Sequence, residues 1–429
     1  MKQLVSENGY LSDDELRSFV AGAFENENVE GKRILCIVPD STRSMPMPTM
    51  FRALFDTLGK RAAKLDYLIA LGTHPPMPDD AIRAFFGLTE AERNGVYQSV
   101  GIFNHEWKNP AALAKIGTIT EEQLADISDG MMRESVDVKV NRRVLDYDLL
   151  CVVGPVFPHE VVGFSGGNKY FFPGVAGEEI LNVFHWLGAL ISNPVINGTK
   201  LTPVRRVVDT AAAMIPVEKR CFCLNVMGKK TKGIFYGSPQ EAWSAAADLS
   251  AQTHIMYKDK PFKSVLAMAP PMYDEIWVAG KCMYKLEPVV ADGGELIIYG
   301  AHIHEVSVTH GHHIRRIGYH TRDYFLAQME RFGDIPGGIL AHSTHVRGIG
   351  AYEDGVEKCR VQVTLATSIP EEECLAINLG YRDIASINPE EWRNREDEGY
   401  LLVENAGEVL YRLKEGNPEP QRCIVPRRG

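Results

Sequence analysis

"RILCIVPD", residues 33–40, decides the fold class. An apolar run this short, closed by Asp40, reads as a buried strand. The next stretch, "TMFRALFDTLGK" at 49–60, has helical spacing. A second strand, "KLDYLIALGTH" at 64–74, runs into the loop "GTHPPMPDD" at 72–80. A third is "DLLCVVGPV" at 148–156 and a fourth "KRCFCLNVMG" at 219–228, before the long helix "PQEAWSAAADLSAQTHIMY" at 239–257. Strand and helix alternating in this way predict an α/β protein with mostly parallel sheets.

After a polar linker, "YKDKPFK" at 257–263, the pattern restarts with strands in "SVLAMAPP", "GELIIYG" and "CRVQVTLAT" and a helix in "DYFLAQMERF". The closing "YLLVENAGEVLYRL" reads as a hairpin turning at Asn405 to Gly407. A chain of 429 residues is long for one domain. Two α/β domains are expected, 1–258 and 263–429, with an active-site cleft between them.

Hydrophobic content of 45% with 24% charged residues is that of a globular protein. The net charge of −10 excludes a general nucleic-acid binder, so an anionic substrate would need a local pocket of Arg and Lys. "MKQLVSENGYLSDDEL" at the N-terminus carries no apolar signal core, and no run approaches a membrane span. The eight cysteines show no CxxC pair, and several lie in apolar strands. Reduced core cysteines and a cytoplasmic protein are expected.

Ligands of open α/β sheets bind beyond the carboxyl ends of strands. Asp40 and Arg43 of "DSTR", Thr73 and His74, and the segment leading from "GPVFPH" into "GFSGGNKY" all fall there. Arg43 can hold a carboxylate through two parallel hydrogen bonds, with Asp40 and Thr42 on other polar groups. A helix N-cap at Asp40 or Ser41 is the competing explanation. "GFSGGNKY", 163–170, fails the P-loop, because Asn168 separates Gly167 from Lys169, and it fails GxGxxG spacing. Its amides can cradle a phosphate, or it is a bare glycine turn.

Lys169 is followed by "YFFPG", which draws it toward an apolar setting where its pKa falls and its amine becomes nucleophilic. Otherwise it is a solvated surface Lys. His185 flanks the stripe Ile180, Val183, Phe184, Leu187, Ile191 of a helix, beside Leu181 and Gly188. It is either a structural His or a metal ligand. His105 and His159 each follow an apolar strand, and either can be a general base or a structural His. The second half has its own His-rich stretches, "AHIHEVSVTHGHHIRRIGYH" at 301–320 and "AHSTHVRG" at 341–348. His302 and His304 are expected on one face of a strand end.

Taken together, "DSTR", "GTH" at 72–74, His105, the run "PHEVVGFSGGNKYFFPG" and His185 resemble the nickel-dependent lactate racemase family. The resemblance is strongest from residue 34 to 190 and follows the same order along the chain. It implies a racemase or epimerase that inverts C2 of a 2-hydroxy acid by proton-coupled hydride transfer. The cofactor it implies is a covalently tethered nickel-pincer nucleotide, built by separate maturation enzymes. It places the tether at Lys169, the nickel ligand at His185 and the two bases at His105 and His159. Arg43 becomes the substrate-binding Arg, while Asp40, Thr42, Ser165, Gly166 and Gly167 help place the cofactor.

In the second domain the family's substrate-binding Gln and Lys fall in "WVAGKCMYK", where Lys281 matches and Val278 replaces the Gln. Lys285 is a second candidate. The change, with the polar loops nearby, points away from lactate toward a larger acid such as a sugar acid. The competing functions are a metal-dependent hydrolase built on the C-terminal His cluster and a non-catalytic nickel or nucleotide binder. The hydrolase predicts that His302 and His304, not Lys169, matter.

Overall fold

The computed structural model describes residues 1–418. Its N-terminal sheet has seven strands, in the spatial order Lys2–Val5, Lys230–Gly237, Glu218–Met227, Leu149–Pro155, Arg33–Pro39, Lys64–Ala70, Ile102–Asn104. The five from Glu218–Met227 onward are parallel, and the first two are antiparallel additions at one edge. Leu35 and Ile37 pack into the core on one face of this sheet, and Ile34, Cys36 and Val38 into the core on the other. Both faces are covered, which is why the strand reads as a continuous apolar run.

Strand Arg33–Pro39 is followed in space by its successors on one side and by Leu149–Pro155 on the other. The strand order therefore reverses between these two strands, and a crevice opens at their carboxyl ends. Asp40 leaves one lip of it and the glycine run leaves the other.

The C-terminal sheet is wholly parallel, in the order Gly380–Tyr381, Gln362–Thr367, Val290–Gly300, Phe262–Met268, Tyr400–Val403. Its order reverses between Phe262–Met268 and Tyr400–Val403, and the segment after Met268 builds the opposite wall of the same crevice. Helix Glu178–Ile191 buries the predicted stripe, with Ile191 only partly covered. Helix Gly337–Arg347 crosses it closely: a Cβ on Gly337 would stand 2.5 Å from the Asn182 carbonyl oxygen.

Four expectations need correction. The C-terminal hairpin does not form, because Tyr400–Val403 joins the large sheet while Leu410–Leu413 pairs in parallel with Ile255–Lys258. That pairing turns the start of the expected linker into a strand. Residues 323–332 make two short helices, Arg322–Leu326 and Met329–Phe332, broken at Gln328. The strand before His302 ends at Gly300, so His302 and His304 lie in a loop.

Cys36, Cys151, Cys221, Cys223, Cys282 and Cys374 are buried and unpaired, and Cys359 is unpaired and half-buried. Cys423 lies outside the described residues. Among the described residues, no helix is long and apolar enough to cross a membrane.

Candidate active site

A cavity of about 180 Å³ lies between the two sheets. Asp40, Arg43, His74, His159, Ser165, Gly166, Lys169 and His185 line it from the N-terminal half, and Trp277, Val278, Lys281, Tyr284, His342 and His345 from the C-terminal half.

Asp40 caps no helix, since the next one begins at Met47 behind Pro46. Its carboxylate closes a turn instead, accepting the Thr42 amide at 3.1 Å and the Thr42 hydroxyl at 2.5 Å on Oδ1. Oδ2 accepts from His74 Nδ1 at 2.5 Å. Burial alone would raise its pKa, but His74, the Arg43 charge and the Thr42 hydroxyl hold it well below the usual carboxylate range. Thr42 is not part of the lining, so its expected contact with a cofactor is replaced by a hold on Asp40. Arg43 lines the cavity and forms no ion pair among the described residues; Thr42 holds its guanidinium, with Nη1 3.3 Å from Oγ1. An Arg presented in this way is an anion site.

The glycine run is latched from behind. Ser165 bonds its own amide to the Phe157 carbonyl at 2.7 Å, and its hydroxyl accepts the Phe157 amide at 2.9 Å. Trp243 Nε1 donates to the Ser165 carbonyl at 2.9 Å. Buried Arg205 donates to the carbonyls of Phe164 and Gly166 and stacks over Trp243 at 4.0 Å. Gly167, at φ 58°, faces Trp243, where a Cβ would come within 2.8 Å, and it is absent from the cavity wall. This packing by itself requires a glycine here. Gly166, at φ 84°, does line the cavity.

The turn Gly167–Tyr170 then delivers Lys169 into the cavity. Burial, reinforced by Arg43, lowers its pKa to about 7, so a large fraction of the amine is unprotonated near neutral pH.

His159 sits on a two-residue ladder, Pro158–His159 against Gly163–Phe164. Its Nδ1 accepts the Val161 amide at 3.1 Å, so the neutral ring carries its proton on Nε2. Burial first, then Lys169 and Arg43, hold it well below the ordinary histidine range. His185 donates from Nδ1 to the Leu181 carbonyl at 2.7 Å, one helical turn back, and stacks on Phe184. That bond fixes the tautomer with a free lone pair on Nε2, as a metal-binding imidazole requires. Burial keeps the ring neutral, with a pKa of about 4.

His105 does not belong to this group. It is fully buried, with Nε2 donating to the Ala176 carbonyl at 3.0 Å and Nδ1 accepting from Asn141 at 3.1 Å. Both ring nitrogens are spent inside the core, and the residue is absent from the cavity wall. The second histidine there is His74, which the sequence placed at a strand end without a role. The usable signal was its strand, Lys64–Ala70, which adjoins the strand at the crevice, whereas His105 follows the edge strand Ile102–Asn104.

On the opposite wall, burial keeps the Lys281 amine well below the ordinary lysine range, and Nζ lies 4.6 Å over the Tyr273 ring. Lys285 is turned away and donates to the Pro158 carbonyl. Val278 lines the cavity.

The C-terminal histidines disperse. His302 bonds the Pro270 carbonyl, His310 packs on Trp277, His320 pairs with Glu357, and His342 sits between Tyr284 and Tyr319. Among the described residues, no three His, Cys, Asp or Glu side chains converge as a metal-binding set.

Comparison with known proteins gives a consistent picture. A lactate racemase from Thermoanaerobacterium thermosaccharolyticum is 28% identical over 281 residues, 63% of this chain and 60% of that protein. One from Lactiplantibacillus plantarum is 25% identical over 281 residues, 63% of this chain and 61% of that protein. The match thus spans about 60% of the length of these curated relatives. A crystal structure of a Thermotoga maritima protein superposes with TM-score 0.87 at 32% identity, covering 96% of this chain and 100% of that one. The lactate racemase apoprotein from T. thermosaccharolyticum shares the fold, with TM-score 0.70 at 19% identity over 94% of each chain. Residues 16–196 match the lactate racemase N-terminal domain, and together these similarities support a lactate racemase-like family for the chain.

Proposed function

We propose that this chain is an isomerase that inverts C2 of a 2-hydroxy acid, using a nickel-pincer nucleotide tethered to Lys169. The observation that carries the proposal is the convergence of Arg43, His74, His159, Lys169, His185 and Lys281 on one cavity from both halves of the chain. We take residues 1–258 as the cofactor-binding domain and 263–429 as the second domain. The expected partners are small anionic acids and the maturation enzymes of the cofactor, in the cytoplasm.

The donor set fits such a group. Lys169 offers an amine that is partly unprotonated at neutral pH, suited to the tether. His185 offers a neutral imidazole whose tautomer is already chosen, suited to nickel. When bound, the nucleotide supplies the acceptor and donor for the C2 hydrogen as hydride.

The protein's own task is to bind the acid and move the hydroxyl proton. Arg43 and Lys281 hold the carboxylate. His74 donates its Nδ1–H to the Asp40 carboxylate as a hydrogen bond, so the Nε2 lone pair is left to take a proton from the substrate hydroxyl. In the second half the His74 imidazolium returns that proton to the carbonyl oxygen, while neutral His159 keeps its Nε2 proton and donates it to the same oxygen as a hydrogen bond. One histidine accepting at Nε2 and one donating there serve the passage through a 2-keto acid in either direction. These assignments replace His105 with His74.

Val278, an apolar residue on the wall beside Lys281, supports a substrate other than lactate, such as a sugar acid epimerised at C2. The test is production together with cofactor-synthesis enzymes, followed by peptide mass spectrometry, nickel counting and stereochemical assay on lactate, malate and aldonates. A nucleotide adduct on the Lys169 peptide with one nickel and inversion at C2 is expected. An unmodified Lys169 in cells shown to load another family member refutes the tether, and inversion of lactate alone refutes the larger substrate.

A further inference from the structure

The C-terminal wall holds a hydrogen-bonded chain that none of the roles above uses. The Tyr284 hydroxyl lies 2.8 Å from His342 Nδ1, and the Tyr319 hydroxyl lies 3.2 Å from His342 Nε2. Tyr284 and His342 both line the cavity, while Tyr319 is fully buried behind them. Trp277 stacks on the His342 ring with centroids 4.0 Å apart and fixes its plane.

A neutral imidazole has one N–H and one lone pair, so the chain can run in only two directions. Burial keeps His342 neutral. Among the described residues, the Tyr319 hydroxyl has His342 Nε2 as its partner. If Nε2 carried the ring proton, the Tyr319 proton would be left without an acceptor in the core, which buried hydroxyls avoid. Tyr319 therefore donates to Nε2. The ring proton sits on Nδ1 and is donated to the Tyr284 oxygen. The Tyr284 O–H then has no acceptor among the described residues, and Tyr284 lines the cavity, where a ligand oxygen can accept its proton. Gly280 makes room for the hydroxyl where it lies, since a Cβ there would stand 2.6 Å from the Tyr284 oxygen.

We propose that Tyr284 is a substrate-binding donor for a hydroxyl oxygen beyond C2 of the bound acid, with Tyr319 and His342 as positioning residues that fix its direction. This rests on reading the cavity as a 2-hydroxy-acid site. Arg43, joined by Lys281 when an anion beside it favours its charged form, matches a carboxylate, whereas a neutral phenol matches a neutral oxygen. The ligand class is a 2-hydroxy acid with a hydroxylated chain.

Two measurements on the full chain test this separately. Nitrogen-15 NMR, with the His342 signal identified by its loss in His342→Gln, reads which ring nitrogen is protonated. The proton is expected on Nδ1, and a proton on Nε2 overturns the proposal whatever the substrate is. Calorimetry then compares a six-carbon aldonate with lactate. Tyr284→Phe should weaken the aldonate about tenfold and leave lactate unchanged. Tyr319→Phe should weaken the aldonate by less, because it releases the tautomer without removing the donor. The double variant should bind no more weakly than Tyr284→Phe alone. Equal losses for the two acids, or additive losses in the double variant, overturn the assignment. A wild-type chain that binds neither acid overturns the reading of the cavity, while the nitrogen spectrum still decides the direction of Tyr284.

Discussion

The two walls of the cavity are built on the same plan and equipped differently. Each stands where the strand order of a parallel sheet reverses. The N-terminal wall carries Arg43, Lys169 and three imidazoles, supplied by the segments after three strands and by helix Glu178–Ile191. The C-terminal wall adds Lys281, but most of its polar surface is neutral: Trp277, Tyr284, His342 and His345. Under the proposed function, this contrast gives the chemistry to the first wall and discrimination among acids to the second. The division breaks most sharply at Lys169. Lys169→Ala should abolish both the covalent adduct and turnover, read by intact mass and stereochemical assay, whereas Tyr284→Phe should load fully. Because the Lys169 pKa is about 7 and the free amine is the nucleophile, loading should accelerate as pH rises through 7 and then level off.

The next effect belongs to His74 and His159. His74→Gln and His159→Gln should each slow turnover by about 10²–10⁴-fold while the adduct on Lys169 persists. Equal activity in either variant would remove that histidine from the reaction. Arg43→Lys should act more mildly, raising KM about tenfold with a smaller change in kcat, because an ammonium keeps the charge but loses the paired geometry. A kcat loss with unchanged KM would mean that Arg43 acts on the reacting centre and not on the carboxylate.

The same contrast explains what could be read from the chain. Lys169 and His185 were legible because the residues that place them are sequence neighbours: one tight turn and one helix carry both. The strands were legible because burial on both faces writes continuous apolar runs. The order of strands in the sheet was not. His74 and His105 each follow a strand, and only spatial order shows that one strand adjoins the crevice and the other lies at the edge. Thr42 and Gly167 sit inside the motif, yet one shapes a turn and the other packs on a tryptophan distant in sequence. Tyr284, Tyr319 and His342 come from separate elements, so no local pattern announces their contact. The final segment misled for a related reason: Asn405 has the positive φ of a turn, but that turn leads to a new parallel partner and not back along its own strand.

The smallest effect on activity, and the sharpest separation of site from core, is expected at His105. In the folded chain its pKa is about 4, lowered mainly by burial, against an ordinary value of 6.5. As pH falls below 6.5 the unfolded chain takes up this proton first, while the fold admits it only near 4. Between those values the unfolded state binds more protons, so the stability from a neutral His105 is complete above 6.5 and declines as pH falls. His185 and His254, also near 4 through burial, add to the same slope. His105→Gln should lower Tm at pH 7, since Asn141 and the Ala176 carbonyl lose a matched partner at a cost of about 1–3 kcal/mol. It should also flatten the fall in Tm between pH 6.5 and 4. Turnover of the protein that remains folded should change less than about threefold, well short of the loss a proton-transfer residue shows. A hundredfold loss of turnover with an unchanged Tm profile would return His105 to the reaction and displace His74.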